Sequence, residues 1–219
     1  MVGEPEAILF DLDGTLVDTV ETRIEAWSRA FIETGISPDR KQLAKLIGSD
    51  GRRLARVVLE SAGATVDDER AESLDRRSGE IFDELNQHPR PLKGVAEVIA
   101  ALDREKLPWA IATSSRRDQV SKSVAALGLA YEPRIVDGTH VAHAKPAPDL
   151  LLLGARELHV DPSKTWYVGD SVWDMQAARA AGMTAVGVAT GAVDEADLRA
   201  AGADLAVRGM AELLPVLGT

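Results

Sequence analysis

The spacing of apolar positions changes character early in this chain. Residues 7–10, Ala-Ile-Leu-Phe, form an unbroken apolar run, as expected of a strand buried on both faces. Val20, Ile24, Trp27 and Phe31 then recur at helical spacing. Leu54, Val57, Val58 and Ala62 repeat that pattern, and Ala71, Leu74, Ile81, Phe82 and Leu85 extend it. Asp18 with Glu21 reads as a capping box for the first helix, and Gly35 and Gly63 read as stops. Residues 16–88 therefore predict helices and no strand. Pro89 and Pro91 then interrupt the pattern.

From residue 95 the rhythm alternates. Strands are predicted at 109–112, 134–136, 165–168, 184–188 and 205–207. Helices are predicted at 95–102, 120–127, 148–158, 172–181, 194–201 and 210–217, with Gly128 and Gly182 as stops. Alternation with short links implies an α/β fold, a Rossmann-like parallel sheet with helices on both faces. The expected organisation is a core domain of residues 1–16 and 89–219 and an inserted all-helical domain of residues 17–88.

In such a sheet, ligands bind beyond the carboxyl ends of the strands. Asp11 and Asp13 follow the first strand. Thr113, Ser114 and Ser115 follow the next, and Asp170 and Asp174 follow the strand at 165–168. Lys145 lies in the loop before the helix at 148. Two carboxylates so close repel each other, and each loses hydration if enclosed. A metal ion or a reaction must offset that cost.

Phosphoryl transfer suits the set. Asp11, Asp13 and Asp170 can offer hard oxygen ligands to Mg²⁺. An aspartate can attack phosphorus covalently, and a second carboxyl can protonate the leaving oxygen and later activate water. Thr113 and Lys145 can hold phosphate oxygens. Asp170 competes with Ser171 for the N-cap of the helix at 172, and Ser171 suits that role at least as well. Asp174, one turn inside, can complement the helix dipole or serve the site.

Composition narrows the classes. Hydrophobic residues make up 45% of the 219, so a packed globular protein is expected. The net charge of −10 argues against a nucleic-acid surface and requires local positive charge for any anionic substrate. The absence of cysteine excludes disulfides and thiol catalysis. No apolar run reaches membrane-spanning length, and residues 1–6 lack the features of a signal peptide, so a cytoplasmic location is expected.

The stretches DLDGTLVDT, ATSS, AKPAPD and VGDSVWDMQAARAAG resemble, in order, the four motifs of the haloacid dehalogenase superfamily. More narrowly they resemble its phosphatase branch with a helical cap inserted after the first strand. That resemblance implies Asp11 as nucleophile and Asp13 as general acid/base that also lends Mg²⁺ its backbone carbonyl. It implies Thr113, with Ser114, and Lys145 for phosphate, and Asp170 for the metal. Asp174 would support the metal directly, through water, or by orienting Lys145. The implied substrate is a small phosphorylated metabolite, and the expected state is a monomer or homodimer. Cap opening and closing would hinge near 16–18 and 88–94.

Within the cap, Arg23, Gly48, Arg52 and Arg53 are candidates for substrate contact, although the runs at 51–53 and 75–77 more often form solvated faces. Trp27 is expected in the core. His140 and His143 are expected to be surface or packing residues. The form GDSVWD resembles phosphoglycolate phosphatases. Sugar phosphomutases of the β-phosphoglucomutase type are the alternative, but usually carry Glu where this chain has Gly169 and His where it has Arg23. Asp13 disfavours both dehalogenases and phosphonate hydrolases, and the filled reactive positions disfavour a silent binding module.

Overall fold

The computed structural model describes residues 2–218. Strand β1 (Ala7–Phe10) leads into four helices: α1 (Val20–Glu33), α2 (Arg40–Leu46), α3 (Gly51–Ser61) and α4 (Asp68–Leu85). The chain continues through α5 (Val95–Glu105), β2 (Trp109–Ala112), α6 (Arg117–Ala126), β3 (Ile135–Val136) and α7 (Asp149–Leu158). It ends with β4 (Thr165–Gly169), α8 (Val172–Ala181), β5 (Thr184–Val188), α9 (Glu195–Ala200), β6 (Leu205–Val207) and a 3-10 turn at Met210–Leu213. The strands form one sheet in the order β3-β2-β1-β4-β5-β6. Every pairing in it is parallel. Strand order reverses at β1, between β2 and β4, where a crevice opens at the carboxyl edge.

Alternation along each strand divides the core into two layers. Ile8, Phe10, Ile111, Trp166, Val168, Val186 and Val188 face α5, α6 and the 3-10 turn. Leu9, Ala110, Ala112, Tyr167 and Ala185 face α7, α8 and α9. Phe10 is fully buried, so Phe10→Ala would cost about 3–5 kcal/mol. Helices α1 to α4 enclose a separate apolar cluster built on Ile24, Trp27, Phe31, Leu54, Val58, Leu74 and Phe82. Trp27 stacks on Phe31 with ring centroids 5.8 Å apart. Asp39, Asp50 and Asp67 cap α2, α3 and α4 by accepting hydrogen bonds from Lys41, Arg53 and Arg70 N–H. The two segments that join this insert to the sheet run side by side. Asp18 N donates to Arg90 O at 2.9 Å, and Leu92 N to Leu16 O at 3.0 Å.

Several details depart from the expected pattern. Helix α2 is an addition; its seven residues bury only Leu43 and Leu46, too few to show a period. Thr19, not Asp18, is the N-cap of α1, and it makes no side-chain cap. Its hydroxyl donates to Asp13 instead. The helix expected at 210–217 is only a 3-10 turn at Met210–Leu213, and Pro215 lacks the N–H that an α-helix would use there. Strand β3 is two residues long, and β4 runs one residue further, to Gly169. Among the described residues no helix is long and apolar enough to cross a membrane.

Candidate active site

The neighbouring strands β2, β1 and β4 deliver Thr113, Asp11 and Asp170 to one rim, and all three are buried. Asp11 N donates to Val168 O at 2.8 Å, which ties the end of β1 to β4. Lys145 is wholly buried, with Nζ 2.8 Å from Asp11 Oδ1 and 2.7 Å from Asp174 Oδ1. Asp174 is fixed in turn by the start of α8, where its Oδ2 accepts from Ser171 N at 2.9 Å and Ser171 Oγ at 2.5 Å. The capping box therefore involves Ser171 and Asp174. Helix α8 starts by fixing Asp174, Asp174 fixes Lys145, and Lys145 fixes Asp11. The Tyr167 hydroxyl joins this group, accepting from Lys145 at 3.1 Å and lying 3.0 Å from Asp174 Oδ1.

Asp13 has a different surround. Its carboxylate accepts from Arg23 Nη2 at 2.8 Å and Nε at 3.1 Å, from Thr19 Oγ1 at 2.6 Å and from Ser115 Oγ at 3.0 Å. Burial alone would raise its pKa, but the Arg23 charge and these hydrogen bonds overcome burial and hold the group below its ordinary value. Arg23 lies over the Phe82 ring, 3.4 Å from the centroid, so the insert supplies both the cation and its platform. Thr113 Oγ1 accepts from Ser115 N at 3.2 Å. Ser114 turns its hydroxyl to Gly48 O at 3.4 Å, linking the β2 loop to the insert.

Oxygens of Asp11, Asp170 and Asp174 lie within 4.8 Å of one another, and Lys145 is the cation that touches two of them. Burial, opposed by Lys145 and reinforced by the charge of Asp174, leaves the Asp11 pKa raised to about 7. Burial, then the charges of Asp174 and Asp11, push Asp170 well above its usual value. This excess of buried negative charge is what a divalent cation would relieve. Space has also been cleared for Asp170: a Cβ on either Gly14 or Gly191 would overlap its Oδ2. The donor set fits a hard, oxygen-loving cation held by Asp11 and Asp170. Asp174 stands beside them, and both of its oxygens accept hydrogen bonds, from Lys145 and from Ser171.

A small cavity, about 60 Å³, opens between the rim and the insert. Asp11, Asp13, Thr113, Ser114, Ser115 and Lys145 form its sheet wall. Arg23, Trp27, Gly48, Ser49, Gly51 and Asp75 form the facing wall, and Arg116 and Gln119 reach it from the start of α6. Of the cap candidates, Arg23 and Gly48 thus meet the cavity. Arg52 and Arg53 do not: Arg52 pairs with Asp50 at 3.3 Å, and Arg53 lies over the Trp173 ring. Trp27 serves both as core and as cavity wall. His140 and His143 are largely exposed; each lies near one carboxylate, Asp137 and Asp149 respectively.

Sequence reasoning missed Thr15, Thr19, Tyr167, Asp75, Arg116 and Gln119. Thr15 Oγ1 donates to Asp170 Oδ1 at 2.9 Å. A tyrosine inside a buried strand needs a partner for its hydroxyl, which was a usable signal. Its place in the run 75–77 suggests a solvated face for Asp75, yet it lies four residues after Ala71 and seven before Phe82, on the helical face that packs inward.

A parallel sheet with these acids, hydroxyls and lysine at one rim, under a helical insert, defines a hydrolase of one large family. The chain belongs to the haloacid dehalogenase-like hydrolases, whose family model matches residues 8–188. It is 32% identical to the N-acetylmuramic acid 6-phosphate phosphatase of Pseudomonas aeruginosa over 97% of this chain and 94% of that one. It is 34% identical to a fructose-1-phosphate phosphatase of Escherichia coli over 83% of this chain and 95% of that one. A hydrolase from Pseudomonas syringae has a similar crystal structure: TM-score 0.92, 32% identity and 97% coverage of both chains. Both named relatives are phosphatases, consistent with a phosphoric monoester hydrolase.

Proposed function

We propose that this protein is a Mg²⁺-dependent phosphatase that hydrolyses a small phosphorylated metabolite through a phosphorylated Asp11. One observation carries the reading: Asp11, Asp13, Thr113 and Lys145 line one small cavity. Mg²⁺ held by the Asp11 and Asp170 carboxylates, and by the Asp13 carbonyl that the family resemblance implies, would neutralise charge on those groups and on the phosphate. Asp11 attacks phosphorus as the carboxylate, and the bond from phosphorus to the ester oxygen breaks. Lys145 and Thr113 hold phosphate oxygens as charge builds on them. Asp13 gives its proton to the departing alkoxide. It then takes a proton from the water that attacks phosphorus, the bond between phosphorus and the Asp11 oxygen breaks, and phosphate leaves the restored carboxylate.

The arrangement seen, with Arg23, Thr19 and Ser115 around Asp13, favours the carboxylate form, the form needed in the second half. Arg23 belongs to the insert, so lifting the insert would remove that cation and let Asp13 take up a proton. The paired segments near Val17 and Pro91 are the natural hinge. Gly169 and Arg23 depart from the mutase pattern and support hydrolysis over isomerisation. The test is a panel of phosphate monoesters with Mg²⁺, with phosphate release measured for wild type and for Asp11→Asn. Release by the wild type that the variant loses supports the reading. Equal release by both, or interconversion of hexose phosphates without free phosphate, contradicts it.

A further inference from the structure

The walls of the cavity differ in charge. Every cation lining it already faces a carboxylate: Lys145 faces Asp11 and Asp174, Arg23 faces Asp13, and Arg116 meets both Glu72 and Asp75. Asp75 comes from α4, reaches the cavity, and among the described residues has only Arg116 Nη2, at 3.4 Å, as its ion-pair partner. That contact is long, because Glu72 binds the same nitrogen more closely. The chain makes room for this carboxylate: a Cβ on Gly51, in the facing helix α3, would overlap Asp75 Oδ1. Ser49, Ser78 and Gln119 complete this side of the cavity with neutral polar groups. Burial raises the Asp75 pKa, Arg116 opposes that, and Asp50 and Glu72 add to the rise, so acids outnumber cations around it.

We infer that Asp75 selects the leaving group, accepting hydrogen bonds from the hydroxyls of an uncharged polyol, such as a sugar, and repelling a leaving group that carries its own carboxylate. The inference rests on the phosphatase reading and sharpens its substrate class. Hydroxyl groups satisfy a part-buried carboxylate and lose nothing by facing it. A second carboxylate placed there would meet a like charge with no uncommitted cation among the described lining residues. The favoured substrates are thus phosphate monoesters of neutral sugars or polyols, and glycolate phosphate is disfavoured.

The test measures kcat/KM with Mg²⁺ for fructose 1-phosphate, 2-phosphoglycolate and p-nitrophenyl phosphate, the last with neither hydroxyls nor a carboxylate on its leaving group. The wild type should favour the sugar ester over phosphoglycolate by about tenfold or more. Asp75→Asn keeps the shape and removes the charge. It should cut that ratio about tenfold, by lowering kcat/KM for fructose 1-phosphate and raising it for 2-phosphoglycolate. Gly51→Ala, which crowds Asp75 from the other helix, should move the ratio the same way. Hydrolysis of all three esters with a ratio that neither variant moves, or a wild type that prefers phosphoglycolate, overturns the role of Asp75 and leaves the phosphatase reading intact. Failure to hydrolyse any of the three, in a protein that melts cooperatively, removes both.

Discussion

The sheet wall and the insert wall of the cavity are held by different physics. On the sheet side Lys145, Asp174 and Tyr167 are wholly buried, and each is fixed by the next. On the insert side the Asp75 and Arg116 side chains stay 20% and 35% exposed, and their contact is 3.4 Å long. A buried ionic chain cannot change partners cheaply, because any member left alone carries the cost of an unpaired charge. A part-exposed pair can be retuned with little loss of fold. On the proposed reading the chemistry sits where change is costly, and the choice of substrate where change is cheap.

The largest break in this contrast should come from the sheet side. Asp11→Asn removes the attacking oxygen and should lower kcat by at least about a thousandfold for every phosphate ester, read by initial rates. Lys145→Ala leaves Asp11 and Asp174 buried without their cation and should cost about 3–5 kcal/mol of stability, read by urea unfolding.

Metal binding sharpens the same contrast. Mg²⁺ at roughly one hundred times its dissociation constant should stabilise the wild type by about 2.7 kcal/mol, and Asp170→Asn by much less, read by thermal melting. The pH dependence follows from Asp11. Its pKa rises on folding from 3.8 to about 7, so its stabilising contribution is complete below 3.8 and is lost as pH rises through 7. The raised Asp170 acts in the same direction. Metal-free protein should therefore lose stability across that window, and saturating Mg²⁺ should flatten or reverse the slope. The smallest effect belongs to the insert. Asp67→Ala removes the N-cap of α4 and should cost about 1 kcal/mol while leaving kcat unchanged.

The same contrast governs what could be read from the sequence. Residues on the sheet wall are adjacent in short motifs at strand ends, so Asp11, Asp13, Thr113, Lys145 and Asp170 were legible from order and position. Asp11, Thr113 and Asp170 each sit where an apolar run stops, and the run itself announces the strand, whereas Lys145 stands out by the KPAP setting of its loop. The insert wall is assembled across distance. Arg116 meets Glu72 and Asp75 across more than forty positions, and nothing local marks that pairing. Arg52 and Arg53 looked apt for an anionic ligand, but Asp50 and Trp173 hold them away from the cavity. Helix α2 and the short 3-10 end were missed for a simpler reason: too few apolar positions, or a proline at the wrong place.

The most direct measurement is acid quench of the Asp13→Asn protein with Mg²⁺ and an aryl phosphate labelled in its phosphorus, whose leaving group departs without a proton, followed by peptide mapping. The expected result is label on the peptide carrying Asp11, near one per chain and absent from Asp11→Asn. Label on any other residue, or steady hydrolysis by the Asp11→Asn protein, would contradict covalent transfer to Asp11.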